Sequence, residues 1–325
     1  MSAILSGRTS PVTDLDFEAA VDPSLPKTVK ARRRRSALSR VEPFTVASYV
    51  VVTLFGLFCL VPLWMIVAGS FTAESALAVN GYSFFPAPFS LTAYQMLFSG
   101  TAVLNGYLAS LFITIVGTAL SLSSTASLAW VIARRLPRIS RPLTIFAYIP
   151  MLFTGGLVPL YLLVTQVLHL SNSWFAVILP GMMAPFLIFV AVSFFRQLPE
   201  EILDSARIDG AGELRIFFQI VLPLSKPILA VLGLFYAVTY WNEWFTALLF
   251  ISDPDKYPLQ LILQNLIANV TNAATLPGGT VSQASAPIYQ LRLAMTVLTV
   301  GPILLAYPFA QRFFVTGLTL GATKG

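Results

Sequence analysis

Charge is what this chain has least of. Only 10% of its 325 residues are Asp, Glu, Lys or Arg, against about a quarter in soluble domains. Hydrophobic residues make up 56%. A water-soluble fold of this length would leave far too much apolar surface exposed, so lipid must solvate much of the chain. There is one cysteine, Cys59, which excludes an intrachain disulfide or a cysteine metal cluster; it reads as a small core residue. There is one histidine, His169, which excludes paired-histidine zinc sites and weakens any catalytic triad; it reads as an interfacial residue. No GxxxxGK[ST] phosphate loop occurs, so the chain cannot hydrolyse ATP in the usual P-loop manner. Strict alternation and fixed-period repeats are absent too. The apolar runs far exceed barrel-strand length, which leaves an all-α, polytopic membrane protein.

The charge-free stretches place the spans, since each needs about 20 mainly apolar residues. No charge lies between Glu42 and Glu74, from Ser75 to Ala133, from Pro142 to Phe195, from Pro227 to Asn242, or from Leu293 to Gln311. Six helices are predicted: one over 45–70, one over 106–133, two within 142–195 broken at His169–Ser173, one over 227–251 interrupted only by Glu243, and one over 293–314. Gly155, Gly156 and Pro159, and Pro180, Gly181 and Pro185, fall inside the third and fourth. They read as hinges or, more simply, as close helix contacts.

The net charge of +6 is unevenly placed. Eight basic residues precede the first span (Arg8, Lys27, Lys30, Arg32, Arg33, Arg34, Arg35 and Arg40). Arg134, Arg135, Arg138 and Arg141 follow the second, and Arg196, Arg207, Arg215 and Lys226 follow the fourth. Arg312 and Lys324 follow the sixth, so 18 of 20 share one side, leaving Lys256 and Arg292 on the other. Positive-inside bias therefore predicts cytoplasmic termini. Next to a span, Arg32–Arg35 read as a topology anchor, not a nucleic-acid patch. Four regions are expected: a mostly disordered cytoplasmic tail (1–41) that does not read as a cleaved signal, a first span with its external loop (42–105), a core of five spans (106–314), and a cytoplasmic tail (315–325).

The loop after the fourth span, 196–227, is the most informative segment. Pro199, Glu200 and Glu201 suit a helix first turn, and Gly210 suits its left-handed cap. A second short helix is predicted from about Gly212, with Leu214, Ile216, Phe217, Ile220 and Val221 at helical spacing and Leu222-Pro223 as its stop. Two short helices at a sharp angle make a rigid knob.

Asp204-Ser205-Ala206, then Gly210, Ile220 and Leu222-Pro223, resemble the EAA loop of ABC importer permeases at the same offsets. Asp stands for Glu and Ser for Ala. The stretches Phe153-Thr154-Gly155-Gly156-Leu157-Val158-Pro159, Trp241-Asn242-Glu243-Trp244-Phe245, Tyr257-Pro258-Leu259-Gln260 and the tail from Gly317 are similar to MalG-like carbohydrate permeases, the Gly155-Gly156 stretch to the branch handling complex oligosaccharides. The resemblance implies a MetI-like ABC permease fold in a bacterial cytoplasmic (inner) membrane and import of oligosaccharides. It further implies a second related permease, an ATPase pair that binds ATP and Mg, and an extracytoplasmic solute-binding protein; no cofactor or metal is expected in this chain, and no nucleic-acid partner. The coupling segment would comprise Asp204, Ser205, Ala206, Arg207, Asp209, Gly210, Ala211, Leu214, Phe217, Ile220, Leu222 and Pro223. Ile208, Ala211, Leu214 and Phe217 would fill a groove on the ATPase, with Asp204, Arg207 and Asp209 at its rim.

Glu243 is the only ionisable residue well inside a predicted span, where a charge costs at least ~2.5–3.5 kcal/mol unless it faces protein or water. It reads either as a residue of the sugar pathway or as a partner to a polar group on a neighbouring helix. On a helix, Tyr236, Tyr240 and Glu243 would share a face, with Asn242 and Trp244 beside them. The external segments 72–103 and 252–290 would touch the binding protein or cap the bundle; Leu261–Ile267 is predicted helical and Thr275–Ala286 flexible. A secondary transporter or other polytopic protein without ATP coupling is the alternative. It would usually show internal repeats and several buried ionisable groups, and only Glu243 is available.

Overall fold

The computed structural model describes residues 43–275 and 287–322. The expected N-terminal tail and nearly all of the segment expected to be flexible lie outside them. The chain divides into two compact units, Met1–Gly56 and Leu57–Gly325, and the packing described below is that of the second.

Among the described residues regular structure is helical, apart from one isolated bridge between Thr72 and Phe89. In chain order the helices are α1 (Pro43–Ser70), α2 (Glu74–Asn80), α3 (Thr92–Ser99), α4 (Ala102–Ala133), α5 (Ser140–Leu152), α6 (Leu157–Leu162), α7 (Trp174–Gly181), α8 (Pro185–Phe195), α9 (Glu200–Ile208), α10 (Glu213–Ile216), α11 (Leu222–Leu224), α12 (Lys226–Trp241), α13 (Phe245–Phe250), α14 (Leu259–Thr275) and α15 (Ile288–Ala322). π turns extend α6 through Leu163–Val167 and join α10 to α11 through Phe217–Val221.

α1, α4 and α15 are each long and apolar enough to span a bilayer without a break. The other three candidate spans are bent pairs: α5 with α6 by 118°, α7 with α8 by 52°, and the α10–α11 segment with α12 by 81°. The six-span expectation therefore holds only if each bent pair is counted once. The bends sit where proline and glycine act on the backbone. Gly156 caps α6 at φ +84, a conformation that costs a residue with a side chain. An added Cβ at Gly155 would meet nothing within 4 Å. These two glycines thus mark a break, not the close packing favoured from sequence. Pro185 opens α8 and holds Ala184 extended at φ −88, ψ 111. An added Cβ would stand an ordinary 3.8 Å from Pro159 at Gly156 and 3.6 Å from Tyr240 at Gly181, where the neighbour comes from another helix.

α4 organises the core, packing against α12, α8 and α7. Its buried residues include the small Gly106, Ala109, Ser110, Gly117, Ser121, Thr125, Ala126 and Ala129 beside the larger Val103, Ile113, Trp130 and Ile132. In lipid no hydrophobic effect drives helices together, so close backbone approach and interhelical hydrogen bonds must do it. Tyr240 bonds Ser121 Oγ at 2.8 Å and donates to the Ile178 carbonyl at 2.9 Å. Tyr236 lies 2.6 Å from Thr125 Oγ1 and accepts the Ala184 amide at 3.2 Å. One helical turn apart on α12, the two tyrosines pin it to α4 and to the α7–α8 bend.

At the opposite end, Asn172 adopts φ +60 and its side-chain oxygen accepts the Ser252 and Asp253 amides at 3.3 and 3.1 Å. The expected break at His169–Ser173 is therefore a tertiary joint as well. The segment after α1 is folded rather than loose. Phe71 stacks on Phe89 and Tyr94, and the Glu74 carboxylate accepts the Tyr289 and Gln290 amides at 2.9 Å. That places a negative charge at the positive end of the α15 dipole.

Three further expectations are corrected. Cys59 is exposed on α1, not in the core. α15 runs from Ile288 to Ala322, longer at both ends than the 293–314 expected for the sixth helix. The fifth helix ends at Trp241 rather than 251. The reason is local: Asn242 and Glu243 carry side chains that compete for backbone partners. Asn242 Nδ2 donates to the Val238 carbonyl at 2.8 Å, and the Glu243 carboxylate accepts the Thr246 amide at 2.8 Å, restarting the chain as α13.

Candidate functional site: a helical knob at the arginine-rich end

α9 and α10 form the knob expected from the 204–223 spacing. α9 begins after Pro199 with Glu200 and Glu201 in its first turn and Arg207 in its last, both favourable to the helix dipole. It ends at Gly210, whose φ of +78 is the left-handed conformation expected there. The Gly210 amide donates to Arg207 and the Ala211 amide to Ala206, at 3.0 and 2.9 Å, which satisfies the open carbonyls of the last turn. No atom lies within 4 Å of where a Cβ at Gly210 would stand, so the backbone angle alone demands glycine. Gly212 then caps α10. The helical path continues past Leu222-Pro223 to Leu224 and turns by 81° around Ser225, slightly later than expected.

Burial separates the residues of this knob into two sets. Leu203, Ala206, Ile216, Phe217 and Val221 face the bundle and are buried. Ile208 and Leu214 stand out at 87% and 76% exposure, with Phe218 at 62%. Phe217, expected to fill a partner's groove, is instead 6% exposed and stacks on Trp130 of α4 at 6.3 Å. Its neighbour Phe218 holds the outward position. Ala211 and Ile220 are half-buried and pack against the core. Asp204, Ser205, Asp209 and Pro223 are exposed, and Leu222 is half-buried.

Two of the three expected rim charges, Asp204 and Arg207, are tied to one another. Arg207 pairs with Asp204 and reaches Glu213 Oε1 at 3.4 Å across the Gly210 turn. Glu213 in turn pairs with Arg134 at the end of α4, and the Arg134 guanidinium lies 5.5 Å from the Trp130 ring centre. Exposed pairs of this kind contribute about 0–1 kcal/mol each. The firmer anchor is apolar: Trp130, Phe195 and Phe217 join α4, α8 and the π turn after α10 in one buried cluster. The segment that begins at α10 is thereby packed against the end of α4. Trp130, Arg134 and Glu213 were not singled out from sequence. Glu213 had a legible signal as an acidic residue in a helix first turn; Trp130 had none.

Clefts flank the knob. One of about 310 Å³ lies between α9 and the ends of α4 and α8, lined by Arg134, Arg135, Arg196, Glu200, Asp204 and Arg207 among others. A second, about 370 Å³, lies between α4 and α10 and is mainly apolar. No cluster of histidine, cysteine or acidic residues able to hold a metal occurs among the described residues.

The expected pathway residues separate too. Tyr236 and Tyr240 are 2% and 3% exposed with their hydroxyls engaged, so they belong to the helix packing. They do not share an open face with Glu243, because α12 stops before it. Asn242 is exposed, Glu243 and Trp244 half-buried, and Gln260 of α14 donates to Asn242 Oδ1 at 3.1 Å.

Residues 120–319 match the family described as "binding-protein-dependent transport system inner membrane component". The chain is 39% identical over 282 residues to protein LplC of Bacillus subtilis (strain 168), covering 87% of this chain and 95% of that protein. It is 36% identical over 282 residues to the polygalacturonan/rhamnogalacturonan transport system permease protein YtcP of the same organism, covering 87% and 98%. Among solved structures, a bacterial ABC transporter involved in import of the acidic polysaccharide alginate has a chain that superposes with a TM-score of 0.73 at 25% identity, covering 83% of this chain and 96% of that one. The family match over residues 120–319, with relatives 36–39% identical along most of both chains, places this chain in the family of binding-protein-dependent transport system inner membrane components, the multi-pass permease subunits of ABC importers, in which ATP hydrolysis resides in a separate subunit.

Proposed function

We propose that this permease imports carbohydrate, as oligosaccharide, through a pathway shared with a second related permease. An ATPase pair that holds ATP and Mg would drive it, and an extracytoplasmic solute-binding protein would deliver the sugar. The relatives' names support the substrate class. The observation that carries the coupling is the knob itself: Ile208 and Leu214 stand exposed while the other side of the same two helices is bound to α4 and α8 through Trp130, Phe195 and Phe217. Asp204–Pro223 is thus the coupling segment, with Asp204, Arg207 and Glu213 setting the angle between its helices. The substrate contacts fall to Asn242, Glu243 and Trp244, since a helix break leaves polar groups available within an apolar span. Tyr236 and Tyr240 position that break.

Substrate-stimulated ATP hydrolysis by the purified complex tests this reading. Hydrolysis should rise only when the binding protein carries an oligosaccharide, neutral and acidic chains being compared. Hydrolysis indifferent to every loaded binding protein would refute it.

The termini and the knob lie on the cytoplasmic side in this reading, which the placement of 18 of the 20 basic residues supports. In a Cys59→Ser background, Ser252→Cys should react with an impermeant thiol reagent in intact cells, and Gly212→Cys only after the membrane is opened. Both positions are exposed, so the reverse order would overturn the orientation.

A further inference from the structure

The turn between α4 and α5 carries an arginine cleft that the coupling role does not use. Arg135, Arg138 and Arg141 come from this turn and from the first residues of α5, and Arg196 from the end of α8; all four line one open cleft of about 760 Å³. All four are exposed, no carboxylate lines the cleft, and none of them is in an ion pair among the described residues. Arg134, one residue earlier, is paired with Glu213; Arg135 and Arg196 also border the cleft beside α9 that Glu200 and Asp204 line, yet form no ion pair there.

The turn is built rather than loose. Ser140, 7% exposed, accepts the Leu136 amide at 2.8 Å and donates to the Val131 carbonyl at 2.7 Å. Arg135 and Arg138 are held at φ +51 and +75, a region where glycine would cost less. Arginine in those positions points to a requirement for the side chain. Thr144 and Ile145 close the cleft on the α5 side, and Ile145, Phe146 and Ile149 continue from it along α5 as exposed apolar surface. The cleft therefore sits where a span meets the membrane surface, with guanidinium groups at one end and an apolar track leading away.

We propose that this cleft binds the phosphate headgroup of an anionic phospholipid, whose acyl chains lie along Ile145 and Phe146. Guanidinium forks suit phosphate oxygens, and basic pockets between membrane helices are a recognised setting for such headgroups. Free inorganic phosphate has the same headgroup chemistry but no use for the apolar track, and an acidic protein surface would not need it either.

The test uses the assembled transporter, exchanged from phosphatidylglycerol or phosphatidylcholine into detergent, with bound lipid measured by native mass spectrometry. Wild type should retain phosphatidylglycerol in preference to phosphatidylcholine, even with inorganic phosphate in excess. Arg138→Gln and Arg196→Gln, each leaving three arginines to hold the topology, should each weaken phosphatidylglycerol retention by about fivefold, the effect of one basic residue beside an anionic headgroup. Phosphatidylcholine retention should not change. Equal phosphatidylglycerol retention in wild type and both variants would overturn the proposal. So would displacement of the lipid by inorganic phosphate alone, or loss of the ATPase subunit with lipid retention intact, which would give the cleft to the protein interface.

Discussion

Ile208→Asp combined with Leu214→Asp is expected to abolish uptake while the permease still inserts and still binds its partner permease. These two side chains are the most exposed large apolar residues of the knob, and neither supports the bundle. Burying an aliphatic side chain of this size contributes roughly 1.5–3 kcal/mol. Losing two, and burying charge in their place, should weaken attachment of the ATPase by roughly 10²- to 10⁴-fold. Co-purification of the ATPase subunit, and hydrolysis stimulated by the loaded binding protein, read this directly. Full retention of the ATPase with normal stimulation would show that the knob's outer surface is not the docking surface. The contrast with Phe217 sharpens the expectation. Phe217 lies in the same segment but is packed on Trp130, so its loss would disturb the fold of the knob before its surface.

Gly117→Val is expected to prevent stable assembly. A Cβ at Gly117 would stand 2.8–3.0 Å from three atoms of the Tyr240 ring, inside van der Waals contact. The ring cannot swing away cheaply, because its hydroxyl is held by Ser121 and by the Ile178 carbonyl. Overpacking of this kind costs about 1–3 kcal/mol, and a buried hydroxyl stripped of partners costs about as much again. Against a total stability of roughly 5–15 kcal/mol that is a large fraction. The melting temperature of the purified permease in detergent should fall markedly. Gly233→Ala is the matched control, since a Cβ there meets Leu122 at an ordinary 3.8 Å; it should melt close to wild type. Equal melting of the two variants would mean that α4 and α12 do not approach as closely as described.

Much of the architecture is a consequence of local chemistry. A span is a long run without charge, because desolvating a charge is costly, and such runs can be counted along the chain. Gly210 marks a left-handed turn because φ of +78 excludes most side chains at little cost only to glycine. Proline at 185 and serine and asparagine around 172 stop helices for reasons that act within a few residues. The spacing of Asp204, Gly210 and Pro223 was therefore readable, and so was the family.

Helix orientation about its own axis is different, and here only the tertiary structure decided. Phe217 and Phe218 are chemically identical neighbours, and an isolated short helix gives no reason to bury the first. Trp130, 87 positions earlier in the chain, supplies that reason. Tyr236, Tyr240 and Glu243 have the spacing of one helical face, yet two are buried pins and the third caps a new helix. The break at Asn242 arises from side-chain competition for backbone partners, which a charge count does not register. Arg134 is paired with Glu213 while Arg135, its neighbour in sequence, lines a cleft without a carboxylate. Composition and spacing determined the membrane, the number of apolar segments and the knob, because these depend on transfer costs and backbone angles. Which residues face a partner, lipid or one another depended on contacts between distant segments, and those exist only once the helices are packed.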